Sequence, residues 1–196
     1  MAANREAVRR RTGLDAIVVA DQVHGTQVTV VDGPLDGPAP ATDALVTATP
    51  RLGLVVLAAD CLPVLLADPR AGIVAAAHAG RAGLTAGVLE RTLEQMADLG
   101  AREVSAVIGP AACGRCYELP EELADEVGAA LPGSRATTRT GTPSVDLTAG
   151  AIGVLSAAGV AVTMVGGCTI EQPELFFSYR RDGRTGRHAG VVWLDG

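Results

Sequence analysis

Short apolar runs, rich in Val, Leu and Ile, recur along the first half of the chain, and most of them lie next to Asp, Gly or Pro. They occupy residues 16–20, 27–31, 43–47, 53–59, 63–67 and 72–78. Their length and composition predict β-strands. The last three runs lack a polar face, which predicts burial on both sides, and the segment 68–72 predicts a hairpin turn.

Helical spacing of apolar residues characterises the second half of the chain. Leu84, Val88, Leu89, Leu93 and Met96 recur every three or four positions, which predicts a helix over 84–99 that ends before Gly100. Residues 4–12 are predicted as the end of a helix, 120–131 and 146–159 as further helices, the last N-capped by Asp146, and 104–108, 161–165 and 190–194 as strands. Since the strands cluster and helices do not alternate with them, an α+β fold is predicted, with residues 1–196 as one domain.

Composition and net charge disfavour nucleic acid and membranes as binding partners. Apolar residues make up 48% of the 196 residues, which is ample for a core, and the net charge of −6 disfavours binding to a nucleic-acid backbone. No apolar run approaches the ~20 residues of a membrane-spanning helix, and the charged N-terminus lacks the apolar segment of a secretory signal. We therefore expect a cytoplasmic protein whose four cysteines are thiols or metal ligands. We also expect a monomer or weak dimer.

Three candidate metal ligands each close a short apolar segment. They are His24 in Gln-Val-His-Gly, Cys61 in Ala-Asp-Cys-Leu-Pro, and His78 in Ala-His-Ala-Gly. Taken singly, they fit a turn residue, a small buried side chain and a polar strand end. Together, two imidazoles and one thiolate would leave a tetrahedral metal ion one open position, as in catalytic sites. If they converge, a metalloenzyme is predicted.

Other polar and cysteine residues have more than one possible role. Asp60 could orient an imidazole, carry a proton as a catalytic group, or simply bond local backbone amides. Cys113 and Cys116 form a single C-x-x-C pair, which cannot assemble a four-cysteine zinc site locally, so we expect loop thiols. His188 is expected at the surface.

An arginine-rich tail near the C-terminus offers a second kind of chemistry. Its arginines and aromatic residues are Arg180, Arg181, Arg184, Arg187, Phe176, Phe177 and Tyr179. Guanidinium groups suit phosphate or carboxylate, and the rings could stack on a planar base. A solvated basic hairpin is the alternative.

Several ordered motifs together carry a family resemblance. They span residues 22–25, 42–47, 59–63, 77–80, 108–110, 117–118, 168–169, 177–180 and 185–187. In this order they resemble the YfiH/laccase-domain family, long labelled polyphenol oxidase or multicopper laccase and associated with purine nucleoside phosphorolysis and adenosine deamination. The resemblance covers nearly the whole chain.

The resemblance implies a fold, a cofactor and substrates. The implied fold is two packed mixed β-sheets flanked by helices, an αββα sandwich. His24, Cys61 and His78 would be zinc ligands, with copper as the other possible metal, and the substrates would be adenosine, inosine or 5′-methylthioadenosine together with phosphate. Asp60 and Cys61 are then the catalytic candidates, and Arg180 and Arg187 the candidates for binding the anion.

Two departures from the family pattern bear on activity. The family usually has Trp-Arg after His-Ala-Gly, whereas Arg81-Ala82 follows here. Family members also carry an N-terminal segment before the Asn-Arg that here is Asn4-Arg5, so we expect the domain to lack that segment. These departures affect the substrate pocket rather than the metal ligands.

Three other functions use the same residues. Copper-dependent phenol oxidation is the older family label, but multicopper oxidases need more imidazoles than the three in this chain. A metal-free hydrolase would use Cys61 as nucleophile and His24 or His78 as base. A metal-binding protein without a productive pocket is the non-enzymatic alternative.

Overall fold

The computed structural model describes residues 2–196, and two packed β-sheets with helices on their outer faces form its body. The strands are β1 (Ala16–Val19), β2 (Val28–Val30), β3 (Ala44–Thr47), β4 (Leu52–Ala58), β5 (Leu62–Asp68), β6 (Ile73–Ala79), β7 (Ser105–Ile108), β8 (Arg135–Thr137), β9 (Pro143–Val145), β10 (Ala161–Met164) and β11 (His188–Val192). The helices are α1 (Ala2–Thr12), α2 (Arg81–Thr85), α3 (Val88–Asp98), α4 (Glu121–Ala130), α5 (Leu147–Ala157) and α6 (Tyr179–Asp182). Within these residues, no helix combines the length and apolar character needed to cross a membrane.

Both large sheets mix parallel and antiparallel strands. One has six strands in the order β10-β7-β5-β6-β3-β2, and the other has three in the order β1-β4-β11. Strands β5 and β6 form the predicted hairpin, with Asp68 opposite Ile73 next to the turn. A third, two-stranded sheet pairs β8 with β9. The predicted α+β sandwich of two mixed sheets is confirmed, with this small sheet as an addition.

Two apolar layers explain why the central strands lack a polar face. Strand β3 shows the pattern: Ala44 and Val46 pack in the layer that contains helix α3, whereas Leu45 packs in the layer between the sheets. Leu89 of α3 and Leu54 of β4 lie in these two layers respectively, and both are buried. Alternation of side chains along a strand therefore gives each face of the six-stranded sheet its own core.

The sequence-based element boundaries were wrong in one helix. The predicted helix over 84–99 is two helices, α2 and α3, because Gly87 between them has a left-handed backbone with φ of +94°. Asp146 does cap α5, since its carboxylate accepts a hydrogen bond from the Ala149 amide at 3.0 Å. Strands β8 and β9 and helix α6 were not predicted, because segments of three or four residues carry too little periodicity.

Candidate metal centre and its cavity

The sheet topology brings the three predicted ligands to one end of the sandwich. Strands β1 and β4 are parallel, so their carboxyl ends lie at the same end of the sheet. His24 follows β1 there, and Cys61 follows β4. The segment after β4 crosses into the other sheet, where β5 begins at Leu62. Antiparallel pairing places His78, near the end of β6, opposite Pro63 of β5. Residues that are 54 positions apart in sequence therefore become neighbours.

His24, Cys61 and His78 converge on one point. Their candidate ligand atoms all lie within 4.8 Å of one another, and the distance from Cys61 Sγ to His24 Nε2 is 3.7 Å. The two imidazole rings meet edge to face, with centroids 4.8 Å apart. His78 is buried, Cys61 is partly buried and His24 is exposed, so the group is open on one side. This set of two nitrogens and one sulfur fits a tetrahedral metal ion with a vacant position.

Asp43 holds two of the three ligands in place. One of its carboxylate oxygens accepts a hydrogen bond from His78 Nδ1 at 2.8 Å, which leaves Nε2 of that ring for a metal ion. The same carboxylate accepts the backbone amides of Val23, His24 and Gly25 at 3.2, 3.0 and 2.7 Å. The imidazole-orienting carboxylate is therefore Asp43 and not Asp60, for which that role was one of three alternatives in the sequence analysis.

The turn that carries His24 is fixed by close contacts. His24 has a left-handed backbone, with φ of +61°. Gln22 pins the start of the turn to β4, because its side-chain amide bonds both the carbonyl and the amide of Leu57, at 2.7 and 2.8 Å. On the other side, a Cβ atom at Gly83 of α2 would lie only 2.7 Å from the Gly25 carbonyl oxygen. Helix α2 thus packs directly on the backbone of the turn.

Replacing Gly83 by alanine should displace the His24 turn without removing any metal ligand. Since the obstructing atom is backbone, the turn must shift and carry His24 with it. The metal affinity of Gly83→Ala should therefore fall below that of the wild type. The matched control is Gly153→Ala in α5, where the nearest atom to the new Cβ is 3.7 Å away. That change should instead stabilise the protein by about 0.5–1 kcal/mol. Metal titration and thermal unfolding of both variants check this, and equal metal affinity in both would count against it.

The electrostatics of the cluster favour an ionised thiol. Burial opposes ionisation, but hydrogen bonds to His24 and His78 outweigh it and lower the pKa of Cys61 to about 7. Burial also disfavours the imidazolium form of His78, yet its bonds to Asp43 and Cys61 raise its pKa to about 9. The bond to Cys61 raises the pKa of His24 as well. A metal ion would replace the ring protons between these groups, so its binding should weaken as the pH falls.

Cys61 of the metal-depleted protein should react with iodoacetamide well below the pH of an ordinary thiol. Because only the thiolate reacts, the rate should reach half its maximum near pH 7. Cys116 is an internal control, since burial and its thiol neighbours raise its pKa to about 12. Peptide mapping by mass spectrometry reports both residues, and metal should protect Cys61. A midpoint near that of a free thiol, about 8.5, would contradict the geometry.

The cluster lies in the wall of an open cavity of about 660 Å³. The polar and aromatic residues around it are Arg5, Asp21, Gln22, Asp60, Arg81, Tyr117, Tyr179, Arg180 and Arg187. The guanidinium of Arg180 lies 4.9 Å from the centre of the Tyr117 ring and donates to the Glu118 carbonyl at 2.8 Å. Arg187 lies 5.9 Å from the centre of the Tyr179 ring. Both predicted anion-binding residues therefore line the cavity that contains the metal cluster.

Asp60 faces the same cavity but is occupied by two donors. One carboxylate oxygen accepts the Thr169 hydroxyl at 2.6 Å, and the other accepts the backbone amide of Arg180 at 2.7 Å. Asp60 itself has a left-handed backbone, with φ of +95°. Its contacts thus tie the Arg180 segment to the loop that carries Cys61.

Two other sequence expectations concern histidine and cysteine residues outside the cavity. His188, expected at the surface, is partly buried in β11, where its Nε2 lies 3.3 Å from the Pro110 carbonyl oxygen. Cys113 and Cys116 do lie in a loop, between β7 and α4, but Cys168 and Glu171 lie beside them.

Sequence reasoning assigned no role to three residues of the site, namely Asp43, Arg81 and Tyr117, whereas Tyr179 was predicted as an aromatic residue of the arginine-rich tail. Asp43 lies in the family motif of residues 42–47, yet nothing in its local sequence indicated a contact with a histidine 35 positions away. Arg81 opens α2 directly after the His78 segment, so its spacing could have indicated a cavity residue.

Comparison with known proteins gives consistent matches over the full chain. The family model described as multi-copper polyphenol oxidoreductase laccase matches residues 1–195. A purine nucleoside phosphorylase of Streptomyces griseus is 54% identical, over 98% of this chain and 81% of that protein. Another from Mycobacterium tuberculosis H37Rv is 53% identical, over 100% of this chain and 80% of that protein. Among solved structures, the hypothetical protein YfiH of Bacillus licheniformis has a TM-score of 0.88 at 31% identity, covering 98% of this chain and 80% of that one.

Proposed function

The chain belongs to the multi-copper polyphenol oxidoreductase laccase family, and on that premise we propose that it is a zinc-dependent purine nucleoside phosphorylase. Its substrates would be adenosine, inosine or 5′-methylthioadenosine with inorganic phosphate, and adenosine deamination would be a second activity. Curated relatives more than 50% identical to this chain are named purine nucleoside phosphorylases, which supports the substrate class.

One observation carries the proposal: the His24–Cys61–His78 cluster and a set of cationic and aromatic side chains line the same cavity. A phosphorylase must hold an anion beside a planar base. Arg180 and Arg187 supply guanidinium groups that suit phosphate oxygens. Tyr179, which is 61% exposed, offers a ring on which a purine can stack.

The reaction joins phosphate to the sugar. A phosphate oxygen attacks C1′ as the bond between C1′ and N9 breaks, and the electron pair of that bond passes to the purine, which then takes up a proton. The arginines hold the phosphate and offset its charge as it approaches C1′. A zinc ion on the two histidines and the cysteine would supply Lewis acidity at its open position. The products are the free base and ribose 1-phosphate, or 5-methylthioribose 1-phosphate when the substrate is 5′-methylthioadenosine.

Asp60 contributes to this arrangement through Arg180. Its bond to the Arg180 amide fixes the segment that presents the guanidinium to the cavity. The suggestion that Asp60 carries a proton stays a prediction. Arg81, which stands where the family usually has tryptophan, adds a further cationic group to the cavity lining.

Inosine with phosphate gives the sharpest assay, because inosine has no amino group to lose and reports phosphorolysis alone. Zinc-loaded protein should release hypoxanthine and ribose 1-phosphate only when phosphate is present. Adenosine without phosphate should yield inosine, which reports the deaminase activity separately. No turnover of inosine by protein with zinc at the cluster would overturn the proposal of a phosphorylase.

Arg180→Gln should raise the KM for phosphate about 10- to 100-fold, since a charge-assisted hydrogen bond is worth about 1.5–3 kcal/mol. The KM for inosine should change much less. Arg91→Gln is the control, because Arg91 is an exposed residue of α3 whose one ion pair among residues 2–196 is with Glu94. Initial rates measured across a range of phosphate concentrations give the phosphate KM of both variants. An unchanged phosphate KM in Arg180→Gln would remove that residue from the anion site.

Copper-dependent phenol oxidation is less well supported, although the family description names it. The chain has three histidines in all, and one of them, His188, bonds the Pro110 carbonyl instead of joining the cluster. The single thiolate and two imidazoles that remain suit one zinc ion and not a set of several coppers.

A further inference from the structure

A second group of metal-ligand side chains lies outside the cavity. Cys113 and Cys116 come from the loop between β7 and α4, and Cys168 and Glu171 come from the loop between β10 and α6. The three sulfur atoms and a carboxylate oxygen all lie within 4.8 Å of one another. Cys168 is 7% exposed and Cys113 and Cys116 are partly buried, so Glu171 is the one exposed side chain of the four.

Backbone hydrogen bonds preorganise the thiols. The amides of Cys116 and Tyr117 both donate to the Cys113 carbonyl, at 2.9 and 3.0 Å, which folds the C-x-x-C segment into a tight turn. The amide of Cys113 donates to the Cys168 sulfur at 3.4 Å. The Thr169 amide also bonds the Ala111 carbonyl at 3.1 Å, which sets the register of the two loops. The third sulfur is therefore held beside the pair by main chain.

The donor set matches one kind of ion. Three thiolates and a carboxylate complete a tetrahedron, and soft sulfur donors favour zinc over magnesium or calcium. A disulfide would use two of the three sulfurs and leave the third thiol and Glu171 unexplained. The Cys116 sulfur already lies 3.0 Å from a Glu171 oxygen, so the fourth donor is in place.

A nearby cation offsets part of the negative charge of the four donors. Arg139 pairs with Glu171, and its guanidinium lies 3.6 Å from the Cys116 sulfur. Three thiolates and one carboxylate would carry four negative charges, against which a divalent ion and one guanidinium supply three positive ones. The residual charge is small for a partly exposed site, because solvent can screen it.

We propose that Cys113, Cys116, Cys168 and Glu171 bind a structural zinc ion. All four positions are filled by protein, so the site is closed and leaves no place for a substrate. The ion would fasten the loop that carries Tyr117 to the loop whose Thr169 bonds Asp60. It thereby braces one wall of the cavity. This inference does not depend on the proposed phosphorylase activity.

Counting zinc ions by native mass spectrometry of protein purified under reductant tests the inference. The wild type should carry two zinc ions per chain. Cys116→Ser, at a partly exposed position, should carry one, and His24→Asn should carry the other one alone. One zinc in the wild type, unchanged in Cys116→Ser, would overturn the inference, and so would a disulfide among the three cysteines. If Cys116→Ser does not fold, the zinc count of His24→Asn decides: one ion supports the second site, and none overturns the inference.

Cobalt substitution separates the two sites by their ligands. In His24→Asn the remaining ion would have three thiolate ligands, and in Cys116→Ser it would have one. The thiolate-to-cobalt charge-transfer band should therefore be about threefold stronger per ion in His24→Asn. Equal bands in the two variants would contradict the assignment, whatever the catalytic activity of either protein.

Discussion

His24→Asn should abolish metal binding in the cavity and lower kcat/KM for inosine phosphorolysis on the order of 10³-fold. The expectation follows from the loss of one of three ligands, since a Lewis acid contributes several kcal/mol to charge stabilisation and each 1.36 kcal/mol is tenfold in rate. His24 is the exposed ligand, so its replacement carries the smallest risk to folding. Asparagine also tolerates the left-handed backbone that His24 adopts, with φ of +61°.

His188→Asn is the matched control for this substitution. His188 lies on the edge strand β11, and it does not line the cavity. Its replacement should leave metal content and kcat/KM unchanged, apart from a small loss of stability. The metal-free hydrolase hypothesis predicts a different result, namely activity in metal-stripped wild type. Full activity of His24→Asn with its metal lost would refute the metalloenzyme account.

Asp43→Asn should weaken metal affinity about 10- to 100-fold, as expected for loss of a carboxylate that orients a histidine ligand. Four N–H donors converge on the two oxygens of Asp43. Asparagine has one acceptor oxygen, so its amide group would face a donor, and His78 could rotate or change tautomer. Competition titration with a chelator measures the affinity, and turnover should fall in proportion to metal occupancy.

Asp68→Asn provides a control, because the Asp68 carboxylate also accepts four N–H donors but contacts none of the candidate metal ligands. Asp68 is buried at the hairpin end of β5, and its carboxylate accepts the amides of Arg70, Ala71, Arg102 and Glu103. These bonds, chiefly the one from Arg102, lower its pKa to about 2. The stability they give is present above the unfolded pKa, about 4, and is lost as the pH falls through 2. Asp68→Asn should therefore reduce stability at pH 7 while metal affinity stays at the wild-type value.

Much of the fold could be predicted because buried strands and helices require apolar residues at regular positions in the local sequence. The runs that form β4, β5 and β6 are apolar apart from Asp68 and His78 near the strand ends, since each strand is covered on both faces. The break at Gly87 could not be read in the same way, because apolar spacing continues across it from α2 into α3. The small sheet β8–β9 was missed because its strands have three residues each.

The candidate metal ligands could be predicted only in part. His24, Cys61 and His78 were recognisable as candidates, since each follows an apolar segment, but their convergence depends on which strands pair. Asp43 was missed because an aspartate at a strand start has many local uses. Cys113 and Cys116 were set aside as an isolated pair, since the third sulfur lies 52 residues further along the chain.

X-ray diffraction above and below the zinc absorption edge tests the central claim most directly. Crystals of the active protein should show an anomalous difference peak about 2.0–2.3 Å from His24 Nε2, Cys61 Sγ and His78 Nε2. A peak there that vanishes below the edge identifies the ion as zinc. Crystals of protein that converts inosine yet shows no anomalous peak among these three atoms would contradict the account.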